Sequence, residues 1–196
     1  NKFAATFGAA VSSYQFFKAG KVDMHLLYRL MPFTLGGAII GCLFMLHLSA
    51  ETLQPLVILS LIAAAVFVFT RRGLGQHSSY TGMTQKTFWQ GAAFALVIGL
   101  YDGFIGPGTG TFLIIAFAML GFDFVVAAGN AKILNLVSNI TAFVLFIISG
   151  KVLYVYGLVM ALGIFLGAFF GSRMAIRHGS GFVRFVMMAV TTVLIG

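Results

Sequence analysis

Acidic side chains are nearly missing from this chain: there are four in 196 residues, Asp23, Glu51, Asp102 and Asp123, and charged residues of both signs make up only 8%. A soluble domain keeps roughly a quarter of its residues charged, so an ordinary water-facing surface is excluded. One cysteine, Cys42, permits neither a disulfide framework nor a thiolate cluster, and beside Gly41 it reads as a small packing residue. The four histidines, His25, His47, His77 and His178, lack metal-ligand spacing, so no metal or other cofactor is called for. What remains is 60% hydrophobic, with a mean hydropathy of +1.04. The solvent of this chain is lipid.

Apolar runs cover residues 26–46, 53–70, 124–148 and 153–176, each close to the ~20 residues that a bilayer requires. The fold class is therefore an all-α polytopic membrane protein. A formal net charge of +8 would suggest nucleic acid in a soluble protein, but here the cations sit in short loops and act as a topology signal toward anionic lipid. The chain opens on Asn1-Lys2-Phe3 and stops at Gly196 inside an apolar run, so both ends read as cut.

Self-comparison gives an ungapped match at an offset of 130 residues. It carries Lys2 onto Lys132, Phe16 onto Phe146, Gly20-Lys21-Val22 onto Gly150-Lys151-Val152, and Gly37, Ala38 and Gly41 onto Gly167, Ala168 and Gly171. Contiguous Gly-Lys-Val and paired lysines favour duplication over chance alignment of glycines. Basic residues crowd the loop at 18–23 and the connection at 71–87, whereas in the second copy the bias moves to Arg173, Arg177 and Arg184. Equivalent loops then face opposite sides, an inverted repeat. On this reading residues 1–70 are the remainder of the first repeat, 71–87 a polar cytoplasmic connection and 88–196 the second repeat. The second comprises a broken hairpin at 88–120, helices at 124–148 and 153–176, and the start of a last helix at 182–196. The glycines at 37, 41, 163, 167 and 171 recur at four-residue spacing, as close helix packing requires.

The break lies at 99–111, where five glycines, Pro107 and Asp102 interrupt apolar sequence. Broken backbone at membrane depth survives only when buried in protein or lining a cavity. Pro107, Gly108, Thr109, Gly110 and Thr111 stand where a half-helix would start, and its free amides and positive dipole end suit an anion. Asp102 is the one carboxylate within an apolar region; it is either a proton site or partner of a buried lysine, or a helix cap satisfied by backbone amides. Lys132, Asn135 and Asn139 share one helical face, with Ser138 oblique to it. Three polar groups on one stripe are expensive against lipid, so the stripe should face the protein interior, although Lys132 could also snorkel to an interface. Lys2 is the counterpart of Lys132, but Ala5 and Ala9 stand where Asn135 and Asn139 would be.

At Gly103-Phe-Ile-Gly-Pro-Gly-Thr-Gly110, at Lys132-Ile-Leu-Asn-Leu-Val-Ser-Asn139 and at the two Gly-Lys-Val turns, the chain resembles the TauE/SafE family of sulfite exporters and sulfonate permeases. The resemblance runs along essentially the entire chain. It implies a carrier of the bacterial inner membrane, built of two related halves, that moves sulfite, sulfonates or another small sulfur-containing anion; it also implies a matching hairpin upstream of Asn1. The expected function is secondary transport of a small anion by alternating access. Lys132, helped by Lys2, attracts the anion; Asn135, Asn139, Ser138, Thr109, Thr111, Gly108 and Pro107 replace its hydration. Asp102 couples a proton or holds Lys132. A cation as cargo is the first alternative, disfavoured by one carboxylate among several lysines. An intramembrane aspartyl protease is the second, and it needs a second acid that the apolar regions lack.

Overall fold

A computed structural model describes residues 2–47, 78–150 and 154–195, with 55, 59 and 62 between them. The apolar run at 53–70 apart from 55, 59 and 62, residues 71–77 of the polar connection with His77 among them, and Lys151-Val152 lie outside the described residues. Among the described residues six helices follow one another: α1 (Lys2–Lys18), α2 (Met24–His47), α3 (Gln85–Phe104), α4 (Thr109–Met119), α5 (Phe124–Ile148) and α6 (Tyr154–Ile195). No strand occurs among the described residues. Three segments among the described residues, Met24–His47, Phe124–Ile148 and Val155–Ala189, are long and apolar enough to cross a membrane. The molecule is an all-α membrane protein.

Local chemistry sets the boundaries. Asp123 caps α5 by accepting from the amides of Val125 and Val126 at 2.9 and 3.2 Å, and Asp23 accepts from Leu26 at the start of α2. Thr84 caps α3 through the amide of Thr87 at 3.1 Å. That cap draws the polar residues Gln85, Lys86 and Thr87 into the helix. The first arm of the hairpin is therefore 20 residues long, not the short arm beginning at 88 that composition suggests. Gly179, with φ 79° and ψ −166°, breaks α6 between a first and a last segment, as a glycine in the left-handed region can do without a Cβ clash.

The offset of 130 also equates element boundaries. The end of α1 at Lys18 maps onto the end of α5 at Ile148, and the start of α2 at Met24 onto the start of α6 at Tyr154. Both helix ends turn the same way: Gly20 donates to Phe17 and Gly150 to Ile147, each at 3.0 Å, and both glycines have φ 65°. Helices α1 and α5 run antiparallel. Phe3 meets Phe143 with ring centroids 5.1 Å apart at one end, and the amide of Asp23 donates to Asn130 Oδ1 at 2.8 Å beyond the other.

Two glycine stripes have different fates. On α2, a Cβ at Gly37 or Gly41 would run into the backbone of Leu96 or Leu100 on α3; reciprocally, Gly99 and Gly103 of α3 face the backbone of Thr34 and Ala38. Lipid supplies no hydrophobic drive between helices, so this backbone-to-backbone approach is what holds α2 to α3. Buried Cys42 packs into the same seam, its Sγ 3.3 Å from the Gly103 carbonyl. On α6, by contrast, a Cβ at Gly163, Gly167 or Gly171 meets nothing within 4 Å. The expectation of close packing fails for these three among the described residues; α1 meets α6 instead through Gly8 against Ile164 and Gly157 against Phe3. Accordingly Gly99→Ala, whose Cβ would stand 2.6 Å from the Thr34 carbonyl, should cost about 1–3 kcal/mol, whereas Gly163→Ala should be neutral or slightly stabilising. Thermal unfolding of the two variants in detergent checks the contrast, and equal melting temperatures would refute it.

Leu26, Leu27 and Leu30 of α2 close the apolar core with Ala95, Leu113, Phe117 and Leu134. This core wedges the short helix α4 between α3 and α5. It fixes the place of the chain break.

Candidate functional site

Helix α3 ends at Phe104, two residues after Asp102, and the chain reverses through Ile105–Gly108 into α4. Gly106 and Gly108 hold φ of 93° and 81°, conformations open to glycine but costly for other residues. The Tyr101 hydroxyl donates to the Pro107 carbonyl and pins the turn. No side chain caps α4. Among the described residues the amides of Gly110 and Thr111 find no acceptor; they are the free donors that begin any helix.

Asp102 is 2% exposed and is the hub of the region. Its Oδ1 accepts from Lys2 Nζ at 2.8 Å, an ion pair, and from the Thr109 hydroxyl at 2.9 Å. Its Oδ2 accepts from Asn135 Nδ2 at 3.3 Å and from the Ser138 hydroxyl. Lys2 also donates to the Asp102 carbonyl. Three helices, α1, α4 and α5, thus converge on one carboxylate at the end of a fourth. The sequence-based pairing of Asp102 with Lys132 is corrected here, because antiparallel packing of α1 on α5 brings the amino end of α1 over α3. The capping alternative is corrected too, since the donors are side chains and not backbone amides. Among the described residues Asp102 meets no second carboxylate, and no three of His, Cys, Asp and Glu come together.

A cavity of about 170 Å³ adjoins this hub, room for roughly five water molecules at liquid density. It is lined by Lys2, Asp102, Pro107, Gly108, Thr109, Lys132, Asn135 and Asn139, together with Ala5, Gly106 and Gly110. The polar stripe of α5 therefore faces the interior, and Ala5, the counterpart of Asn135, forms the opposite wall. Ser138 stands behind Asp102 and does not line the cavity. Thr111 lines a different, largely apolar cavity of about 460 Å³ under α6, and Gly110 and Lys132 border both.

The two lysines that coincide at the offset of 130 differ in state. Lys2 is spent on Asp102. Lys132, half-buried, makes no ion pair or hydrogen bond among the described residues, where the Lys2–Asp102 pair is the single salt bridge. With both lysines protonated, the two lysines and one acid leave the cavity one formal positive charge. The Tyr101 hydroxyl's hold on the turn and the positive φ of Gly106 are not foreseen from the sequence; Gly110 reads there as part of the half-helix start, and Ala5 only as the residue standing where Asn135 would be.

Spanning apolar helices around a small, charged, buried cavity at a chain break define a multi-pass membrane transporter of a small solute. The whole chain, residues 1–196, matches the family model described as Sulfite exporter TauE/SafE, and the protein belongs to that family. Among curated relatives, the probable membrane transporter protein ORF9 of a Sinorhizobium species is 31% identical over 195 residues, covering 99% of this chain and 74% of its own length. The probable membrane transporter protein YfcA of Escherichia coli K12 is 32% identical over 199 residues, covering 99% and 72%. A probable membrane transporter protein of Haemophilus influenzae is 29% identical over 185 residues, covering 94% and 72%. No solved structure matches the chain significantly.

Proposed function

We propose that this transporter carries a small anion, with sulfite or an organosulfonate as its cargo, across the bacterial inner membrane by alternating access. The observation that carries the reading is Lys132, which makes no ion pair or hydrogen bond among the described residues and faces a polar cavity beside the unbonded amide of Gly110. The anion sits against Lys132 and that amide, and Asn135 and Asn139 supply further donors. An uncompensated positive charge in a low-dielectric cavity binds an anion far better than a second cation.

Asp102 acts in this scheme as a structural charge that fixes Lys2, Thr109, Asn135 and Ser138, not as the proton carrier. The family name of the model supports a sulfur oxyanion as cargo. Antiparallel α1 and α5, and helix boundaries that coincide at the offset of 130, support an inverted repeat whose halves rock about the cavity. The Lys2–Asp102 pair then ties the first repeat to the hairpin of the second.

Proteoliposome uptake tests the assignment. With an inward gradient, sulfite and methanesulfonate should be taken up while sodium, potassium and divalent metal ions are not. Cation uptake without anion uptake would overturn it.

A further inference from the structure

On the outer side of the α1–α6 pair lies a groove of about 740 Å³ that has no part in the cavity at Asp102. Its apolar trough is formed by Val11 of α1 and by Phe165 and Phe169 of α6, and one end is rimmed by Lys18, Arg173 and Arg177. Among the described residues no acidic residue lines it, and none of the three cations makes an ion pair. The Arg173 guanidinium rests over the Phe169 ring, 4.1 Å from its centroid. Tyr14, 64% exposed, stands beside the rim with its hydroxyl available.

Helices α1 and α6 run in the same direction, so the cations gather at one membrane face. Gly157 lies against Phe3, Gly8 against Ile164, and Gln15 donates to the Phe169 carbonyl at 3.2 Å. Lys18 is in the last turn of α1, and Arg173 and Arg177 precede the break at Gly179. A concentration of unpaired Lys and Arg at helix ends marks the cytoplasmic face, where the leaflet is anionic.

We propose that this groove binds an acidic phospholipid, with its phosphate between Lys18, Arg173 and Arg177 and an acyl chain along Phe165 and Phe169. Charge complementarity selects this occupant. Three clustered cations with no acid repel one another until an anion joins them, and an apolar trough running along the helices from that rim matches a chain attached to a phosphate. The carboxyl end of α1 is itself negative and opposes the phosphate, so attraction rests on the side chains. The inference is independent of the transported cargo.

Native mass spectrometry of the full-length, delipidated protein with equimolar dioleoyl-phosphatidylglycerol and dioleoyl-phosphatidylcholine tests it. Phosphatidylglycerol adducts should exceed phosphatidylcholine adducts several-fold, and Arg173→Gln with Arg177→Gln should bring them to parity. Lys18→Gln, a single change on an exposed helix end, should reduce the preference in part. Arg184→Gln removes equal charge outside the groove and should leave it intact. Equal retention of both lipids by the unmodified protein, or an equal loss in Arg184→Gln, would overturn the proposal. Displacement of the lipid by millimolar inorganic phosphate would assign the rim to a free anion instead and overturn it as well. A photo-reactive residue at Phe165 should label lipid; labelling of a polypeptide in its place would refute the lipid as occupant.

Discussion

Asp102→Ala is expected to destabilise the protein by roughly 3–5 kcal/mol, the cost of stranding one member of a buried ion pair. The substitution leaves Lys2 charged with its partner gone, and it strips acceptors from Thr109, Asn135 and Ser138 at once. The Asn135 amide loses its acceptor at Asp102 and adds to the penalty, whereas the hydroxyls of Thr109 and Ser138 fall back on the carbonyls of Gly106 and Asn135. Because the hub joins α1, α4 and α5 to the end of α3, the loss should appear as a lower melting temperature in detergent and as early proteolysis near residues 105–108. The paired change Lys2→Met with Asp102→Leu removes both charges and should recover part of the stability. A single variant as stable as the unmodified protein would show that the carboxylate is not the structural hub.

Lys132→Gln should behave in the opposite way, although Lys132 and Lys2 coincide at the sequence offset of 130. Lys132 has no partner to strand, so its removal should leave the melting temperature unchanged or raise it slightly. Anion affinity should fall by about ten- to a hundred-fold, since a charge-assisted hydrogen bond contributes roughly 1.5–3 kcal/mol and each 1.4 kcal/mol is a factor of ten. Lys132→Arg keeps the charge and should retain part of the binding. The two lysines thus separate stability from recognition, and a Lys2→Gln variant that lost affinity while keeping full stability would contradict that separation.

Much of this was legible in the residues. The apolar runs at 26–46 and 124–148 are α2 and α5, and the glycine–proline break is where the chain reverses. Polarity at Lys132, Asn135 and Asn139 is too expensive against lipid to face outward, which is why their inward direction could be read from spacing alone. The partner of Asp102 could not be read. Two equivalent lysines compete for it, and the choice depends on how α1 crosses α5, a packing outcome with no local signature. The glycines show the same limit. Gly37 and Gly167 are equivalent in sequence, yet one meets a neighbouring backbone and the other meets open space, because only α2 has α3 beside it among the described residues. Thr111 illustrates the remaining error. One residue beyond Gly110, helical rotation turns it toward the apolar cavity under α6, while Thr109 points back to Asp102.

The central claim is that the free lysine, not the paired one, receives the cargo. Isothermal titration of sulfite into the full-length protein in detergent, compared with its Lys132→Gln variant, tests it most directly. Saturable binding that weakens at least tenfold in the variant, with no loss of melting temperature, is the predicted result. Binding of equal strength in both proteins would contradict it.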